Sequence, residues 1–278
     1  MRNIAAQQLL ATSFREMHRG GKVLLLPNIW DVASARLVEE AGFPALATTS
    51  AGIAFSVGYP DGQRISREQM LARVARIVRA VEVPVTADME AGYGSRPEDA
   101  ARTATGVVEA GAVGMNLEDG SSVPARPLLD RILAVEKVRA VREAALQAGV
   151  GLVLNARTDV YLREAVAPEL RYGEAIERVR AYREAGADCV FVPGLRDPET
   201  ISRLVREAEC PVNILAGPGF LPVPELEKLG VARVSLGSGV MRATLGLVRR
   251  LTEELKTSGT YQALEDAPSH AQVGQLFK

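Results

Sequence analysis

Two carboxylates one residue apart, Asp88 and Glu90, close the apolar run Val83-Pro-Val-Thr-Ala87, and Gly92 and Gly94 follow them. A short β-branched run bounded by proline reads as a buried strand, and the glycines release the chain into a turn. Side chains alternate along an extended segment, so both acids are expected to lean to one side. Two anions on one face repel unless something positive lies between them, and a divalent cation is the simplest answer. A solvated acidic turn would read the same if this stretch stood alone. Other acids accompany it: Asp61 in the preceding loop, Glu118-Asp119 after the next apolar run, and Arg157-Thr158-Asp159 after the one beyond. Oxygen donors without histidine or thiolate suit a hard cation, Mg²⁺ with Mn²⁺ as the alternative. His18 falls on the leading helix and His270 in the tail, which argues against zinc. Magnesium keeps several waters, so Asp88 is expected to ligate directly, with Asp61, Glu90 and Glu118 in the outer sphere.

The remaining polar candidates are Thr48, Thr49 and Ser50, then Asn213 and Ser235. Ser50-Ala51-Gly52 leaves a strand on small residues, so its backbone N–H groups could approach an anion closely. Arg157 either pairs with Asp159 or another acid, or presents a planar fork to a substrate carboxylate or a developing enolate. The five lysines (22, 137, 228, 256 and 278) lie before the first strand, on helices or at the terminus. None follows a strand, so a Schiff-base mechanism lacks its amine and carbonyl activation falls to the metal. Gly217-Pro-Gly219 and Gly237-Ser-Gly239 fit a phosphate loop or plain turns equally. Trp30 reads as packing.

These residues need a scaffold that brings strand ends together. Helical spacing over Ile4–His18 is followed by eight strand-then-helix units. The expected strands run 23–26, 44–48, 83–87, 112–117, 151–156, 188–192, 212–215 and 231–236. Ser66 with Gln69 forms a capping box, and three helices end in Glu-Ala-Gly, where glycine suits a left-handed cap. Alternation of this kind predicts an α/β fold, a (β/α)8 TIM barrel with an extra N-terminal helix. An open doubly wound sheet is the alternative. The barrel is expected over residues 1–257, with 258–278 as a loosely held polar tail. In such a barrel the site lies at the C-terminal strand ends, where nearly all the rim charge collects; the opposite ends carry only Lys22 and Asp188.

A net charge of -1 points away from nucleic acid and basic membrane-binding surfaces. No apolar run reaches the roughly 18 residues of a membrane span. The N-terminus has no signal-peptide core, and Cys189 and Cys210 fall in or beside apolar runs. A reducing, cytoplasmic setting is expected.

The chain resembles the isocitrate lyase/phosphoenolpyruvate mutase superfamily. The resemblance rests on Pro27 to Ala41, Thr49-Ser-Ala-Gly52, Gly58-Tyr-Pro-Asp61, Ala87-Asp-Met-Glu-Ala-Gly-Tyr-Gly94, Asn116-Leu-Glu-Asp119 and Asn155-Ala-Arg-Thr-Asp159. It implies a last helix swapped between subunits, in homodimers or homotetramers, and a Mg²⁺-bound 2-oxo acid or enolate. It further implies that Asp88 ligates the metal while Asp61, Glu90 and Glu118 hold its waters. Ser50, Ala51 and Gly52 would grip the substrate carboxylate, and Arg157 would stabilise enolate charge. The chain also departs from the pattern. The isocitrate and methylisocitrate lyases carry a Lys-Lys/Arg-Cys-Gly-His loop after strand four; here 118–126 reads Glu-Asp-Gly-Ser-Ser-Val-Pro-Ala-Arg. Val192-Pro-Gly194 replaces a glutamate, and Glu90 stands where aspartate is more typical.

The expected function is a Mg²⁺-dependent lyase that cleaves or decarboxylates small 2-oxo or 2-hydroxy di- or tricarboxylates, oxaloacetate decarboxylase-like or 2-methylisocitrate lyase-like. Its enolate would be held by the metal and Arg157, with Glu118 and Asp61 as further catalytic candidates and Asn213 beside the substrate. The alternatives are P–C bond chemistry on phosphonopyruvate or phosphoenolpyruvate, and a non-catalytic 2-oxo acid binding protein.

Overall fold

The protein was analysed as a computed structural model that describes residues 3–123 and 125–278. Pro124, in the loop before the fifth expected helix, lies outside the described residues. The strands are β1 (Leu24–Leu26), β2 (Asn28–Ile29), β3 (Leu46–Thr48), β4 (Val85–Asp88), β5 (Gly114–Glu118), β6 (Val153–Arg157), β7 (Cys189–Phe191), β8 (Val212–Leu215) and β9 (Arg233–Ser235). The helices are α1 (Ile4–Met17), α2 (Val32–Glu40), α3 (Ser50–Ser56), α4 (Arg67–Ala80), α5 (Pro97–Glu109), α6 (Arg131–Gln147), α7 (Arg171–Glu184), α8 (Pro198–Ala208), α9 (Val223–Lys228), α10 (Gly239–Thr257) and α11 (His270–Gln275).

All the strand pairs are parallel, in the order β1-β9-β8-β7-β6-β5-β4-β3-β2. β1 and β2 are halves of one strand split at Pro27, so the sheet returns on itself as the expected eight-unit barrel. At the seam β1 pairs with β9 while β2 pairs with β3. Asn28, buried, ties the two sides together. Its Oδ1 accepts from the Leu236 and Gly237 amides at 2.7 and 2.8 Å, and its Nδ2 donates to Thr48 O at 2.9 Å. Proline brings no N–H to the ladder, and the asparagine side chain supplies what the broken strand lacks.

Local chemistry explains the boundaries. α2 and α4 open on capping boxes, Asp31 with Ser34 and Ser66 with Gln69. Gly42, Gly111 and Gly186, at φ of 83°, 87° and 106°, stop α2, α5 and α7 as the Glu-Ala-Gly phrases predict. Three strands run one residue further than expected, because Asp88 pairs with Asn116 and Glu118 with Arg157 in the ladders. The site residues are therefore the last residues of strands, oriented by the sheet. The stretch after β3, expected as loop, begins with α3. The tail, expected as loosely held, contains a 3-10 turn at Gln262–Leu264 and the helix α11.

α1 closes the end of the barrel away from the site. Phe14 is fully buried, and a Cβ on Gly114 would come within 2.9 Å of its ring. Asp188 is held there by Arg15 at 2.8 Å, by Arg142 and by the Leu154 amide at 2.8 Å. α10 behaves differently: Met241 is its one buried residue, while Leu245, Val248 and Leu255 stand exposed. No helix among the described residues is long and apolar enough to cross a membrane.

Candidate active site

β4 ends in Asp88, whose two oxygens have different surroundings. Oδ2 accepts from the Ser50 amide at 3.0 Å and the Ser50 hydroxyl at 2.8 Å, and the Asp88 amide donates to Thr48 Oγ1 at 2.9 Å. Oδ1 is buried and has no hydrogen-bond partner among the described residues. A buried carboxylate oxygen left unmatched is costly unless a cation takes it.

β5 and β6 contribute a coupled pair. Arg157 Nη1 lies 2.8 Å from Glu118 Oε2. Its Nε and Nη2 donate to Asp159 Oδ1 and Oδ2 at 2.6 and 3.1 Å. Two of the five guanidinium N–H groups are thereby hydrogen-bonded, and Nη1 is ion-paired with Glu118. Asp159 is itself anchored, its amide donating to Asp119 Oδ1 at 2.9 Å. Asp119 is braced from α7 by the Tyr182 hydroxyl at 2.6 Å and Arg178 Nη1 at 3.0 Å. Arg157 also lies over the Phe191 ring, 5.7 Å from its centroid. The arginine is paired, as one reading of the sequence anticipated, and the pairing aims its unused edge.

The acids share one field. Burial pushes the Glu90 carboxyl up to about 7, with Asp88 and Asp61 adding repulsion. Partial burial and Asp88 push Asp61 up as well. Burial raises Glu118 well above the usual range against the pull of Arg157, and Asp159, Asp88 and Glu90 add to the rise. Among the described residues no three acidic, histidine or cysteine side chains form a group able to hold a metal directly. That donor geometry, with one unmatched carboxylate oxygen and further acids at a distance, fits a hydrated Mg²⁺ better than a protein cage.

Above lies a cavity of about 400 Å³, whose lining includes Asp61, Arg64, Glu90, Glu118, Ser122 and Arg163. Arg163 pairs with Asp159 at 2.9 Å and donates to Ser121 O at 2.8 Å.

A family model described as phosphoenolpyruvate phosphomutase matches residues 14–256. The chain belongs to that family. It is 39% identical over 226 residues to an uncharacterized protein of Mycobacterium tuberculosis, covering 81% of this chain and 82% of that one. A 2-methylisocitrate lyase of Bacillus subtilis is 28% identical over 268 residues, covering 92% and 85%. The crystal structure of a protein from Burkholderia cenocepacia J2315 superposes with a TM-score of 0.92 at 38% identity, covering 98% and 97%.

Within this family frame some expected roles need amending. Ser50, Ala51 and Gly52 were expected to grip a carboxylate, yet the Ser50 amide is spent on Asp88 and the Gly52 amide on its own cap, Thr49 Oγ1 at 3.3 Å. The reason is α3: Thr49 caps a helix where the sequence suggested an open turn. Gly52 is still required, since a Cβ would meet Thr49 Cγ2 at 2.6 Å and Trp30 Cβ at 3.1 Å. Asn213 is fully buried inside the barrel and bonds Ser235 Oγ at 3.2 Å, so both serve the interior as it stands. Glu90 lies outside the strand at φ 50°, so alternation does not align it with Asp88. A left-handed turn brings it back instead.

Sequence reasoning missed Gln63, Tyr93, Arg163 and Lys137. Tyr93 carried the one available signal, its place between Gly92 and Gly94. Lys137 was read as an ordinary helix residue, but its ammonium is buried behind the turn after β4, and burial lowers its pKa to about 8.

Proposed function

We propose that this chain is a divalent-metal-dependent carbon–carbon lyase of small 2-oxo or 2-hydroxy di- or tricarboxylates, with oxaloacetate decarboxylation as its simplest form. The observation that carries this reading is Asp88, with one oxygen fixed by Ser50 and the other buried without a partner among the described residues. Asp88 would hold the ion, and Asp61, Glu90 and Glu118 would hold its waters. Mg²⁺ is the ion proposed; when bound it supplies Lewis-acid polarisation of the 2-oxo group. Arg157, paired with Glu118 and Asp159, keeps guanidinium N–H groups for the oxygen that gains charge as the C–C bond breaks. In decarboxylation the bonding pair stays on the carbon next to the carbonyl, CO₂ leaves, and solvent returns a proton to that carbon. This asks for no thiol, and residues 118–126 contain neither cysteine nor histidine.

Charge favours C–C over P–C chemistry. Among the residues lining the cavity, Asp61, Glu90 and Glu118 outnumber Arg64 and Arg163. A carboxylate substrate meets that balance more easily than a phosphonate of higher charge. Incubation with oxaloacetate and Mg²⁺ tests the reading: pyruvate should form above the rate of the metal alone. Pyruvate only at the metal-only rate rejects the decarboxylase form. Turnover of phosphonopyruvate followed by phosphorus NMR would move the assignment to P–C chemistry. Tight oxalate binding without turnover of either compound would make the chain a 2-oxo acid binding protein.

The proposal includes a cytoplasmic homodimer or homotetramer in which α10 packs on a neighbouring copy. Its exposed Leu245, Val248 and Leu255 support that arrangement. Sedimentation should give a dimer or larger, and a monomer at micromolar concentration would reject it.

A further inference from the structure

Four consecutive carbonyls of the turn after β4 are each taken by a side chain from another element. Lys137 Nζ, on α6, donates to Ala91 O at 2.7 Å and to Gly94 O at 2.8 Å. Thr103 Oγ1, on α5, donates to Gly92 O at 2.7 Å, and Arg67, on α4, donates to Tyr93 O. With its carbonyls turned toward these donors, the turn offers its other groups to the loop that carries Asp61. The Tyr93 amide donates to Gln63 Oε1 at 2.6 Å, and the Gln63 amide donates to Glu90 Oε2 at 2.6 Å. The Tyr93 hydroxyl donates to Glu90 Oε1 at 3.1 Å.

This clasp is not a relaxed arrangement of its own backbone. Gln63, Glu90 and Tyr93 have φ of 58°, 50° and 54°, in the left-handed region. Each such residue costs on the order of 1 kcal/mol and persists only where its surroundings enforce it. Lys137 is the strongest enforcer of this turn. It spans both ends of the turn, it is 1% exposed, and it forms no ion pair among the described residues. A buried ammonium is costly unless its hydrogen bonds are good, and charge-assisted bonds to two carbonyls are among the stiffest available.

We propose that Lys137 is a positioning residue for the carboxylates of the mouth. By holding Ala91 and Gly94 it sets the one turn shape in which Glu90 and Tyr93 meet Gln63, and so places Glu90 and the Asp61 loop relative to Asp88. The link to metal binding rests on the proposed function; the clasp itself rests on hydrogen bonds alone.

The test compares Lys137→Met with Val179→Ala, a buried truncation on α7 that lowers stability without touching the clasp. Amide exchange is measured on the metal-free protein. In Lys137→Met the Gln63, Gly92 and Tyr93 amides should exchange about tenfold faster or more, and in Val179→Ala they should keep the wild-type rate. Mg²⁺ affinity in the presence of oxalate, read by calorimetry well below the melting temperature, should fall about 10- to 100-fold in Lys137→Met alone, as for other residues that orient metal ligands. Unchanged exchange at the three amides overturns the inference, and so does equal acceleration in Val179→Ala. Faster exchange with unchanged Mg²⁺ affinity also overturns the positioning role. If Lys137→Met does not fold, Lys137→Gln, which keeps one donor group, is judged by the same criteria. A wild-type protein that binds no Mg²⁺ defeats the proposed function, and the exchange measurement still decides the clasp.

Discussion

Two buried aspartates, one toward each end of the barrel, are handled in opposite ways. At the α1 end, Asp188 has both oxygens engaged, Oδ1 by Arg15 and Oδ2 by Arg142 and the Leu154 amide. Burial alone would raise its carboxyl, but these partners hold it below the usual carboxylate range. At the mouth, Asp88 keeps an oxygen without a partner among the described residues, and Asp61, Glu90 and Glu118 are all pushed above the usual range. Charge that is fully matched serves the fold. A carboxylate left over at the strand ends, in a fold able to match one elsewhere, marks where a ligand is expected.

The sharpest way to break this contrast is Asp88→Ala. Mg²⁺-dependent oxalate binding should fall below detection by calorimetry while the melting temperature holds or rises, because a repelling anion has gone. Retained affinity would move the metal elsewhere. Next comes a matched pair. Arg157→Met leaves Glu118 buried without its cation and Asp159 with Arg163 alone, which costs about 3–5 kcal/mol of stability. It should also lower turnover about 100-fold or more, as the loss of one transition-state donor does. Asp188→Asn, at the other end, should cost about 2–3 kcal/mol through weakened charged hydrogen bonds. Oxalate affinity should then stay at the wild-type value; a change would show that the two ends are coupled.

The last test lies in pH. Glu90 titrates near 7 when folded, against 4.5 for the ordinary group, because of burial and then Asp88 and Asp61. Its folded form holds the proton longer, so this stability is complete below pH 4.5 and fades as pH rises through 7. His18, at the α1 end, is lowered to about 4 from 6.5 by burial and by Arg233. Its unfolded form takes the proton first, so that stability is complete above pH 6.5 and is lost as pH falls toward 4. Each limb is worth up to about 3 kcal/mol. In metal-free protein, denaturant titrations across pH should show Glu90→Gln flattening the upper limb and His18→Gln the lower one. If either substitution flattens both limbs, the assignment to separate ends is wrong.

Much of this was legible in the sequence because parallel strands buried on both faces read as unbroken apolar runs, and glycine and capping residues mark helix ends. Asp88, Glu118 and Arg157 could be placed at strand ends for the same reason. α3 was not visible: Ser-Ala-Gly-Ile-Ala-Phe-Ser is short, and its small residues look like a turn until Thr49 is known to cap it. Asn213 was placed near the right elements, but periodicity says nothing about which inward residues find partners within the barrel. The clasp was hidden for a deeper reason. Lys137 lies 43 residues beyond Gly94, and neither the reach of its side chain nor the left-handed backbone of Gln63 and Tyr93 leaves a trace in local pattern.

The split at Pro27 has a consequence for biosynthesis. One short segment near the start of the chain must find β9 on one flank and β3 on the other. A nascent chain that has not yet released Ser235 from the ribosome therefore has an unfinished wall, whatever its earlier units have built. Completion waits for nearly the whole message to be translated. Chains truncated before residue 233 should expose the β1 edge and be cleared by proteases or chaperones, whereas chains ending just after α10 should mature.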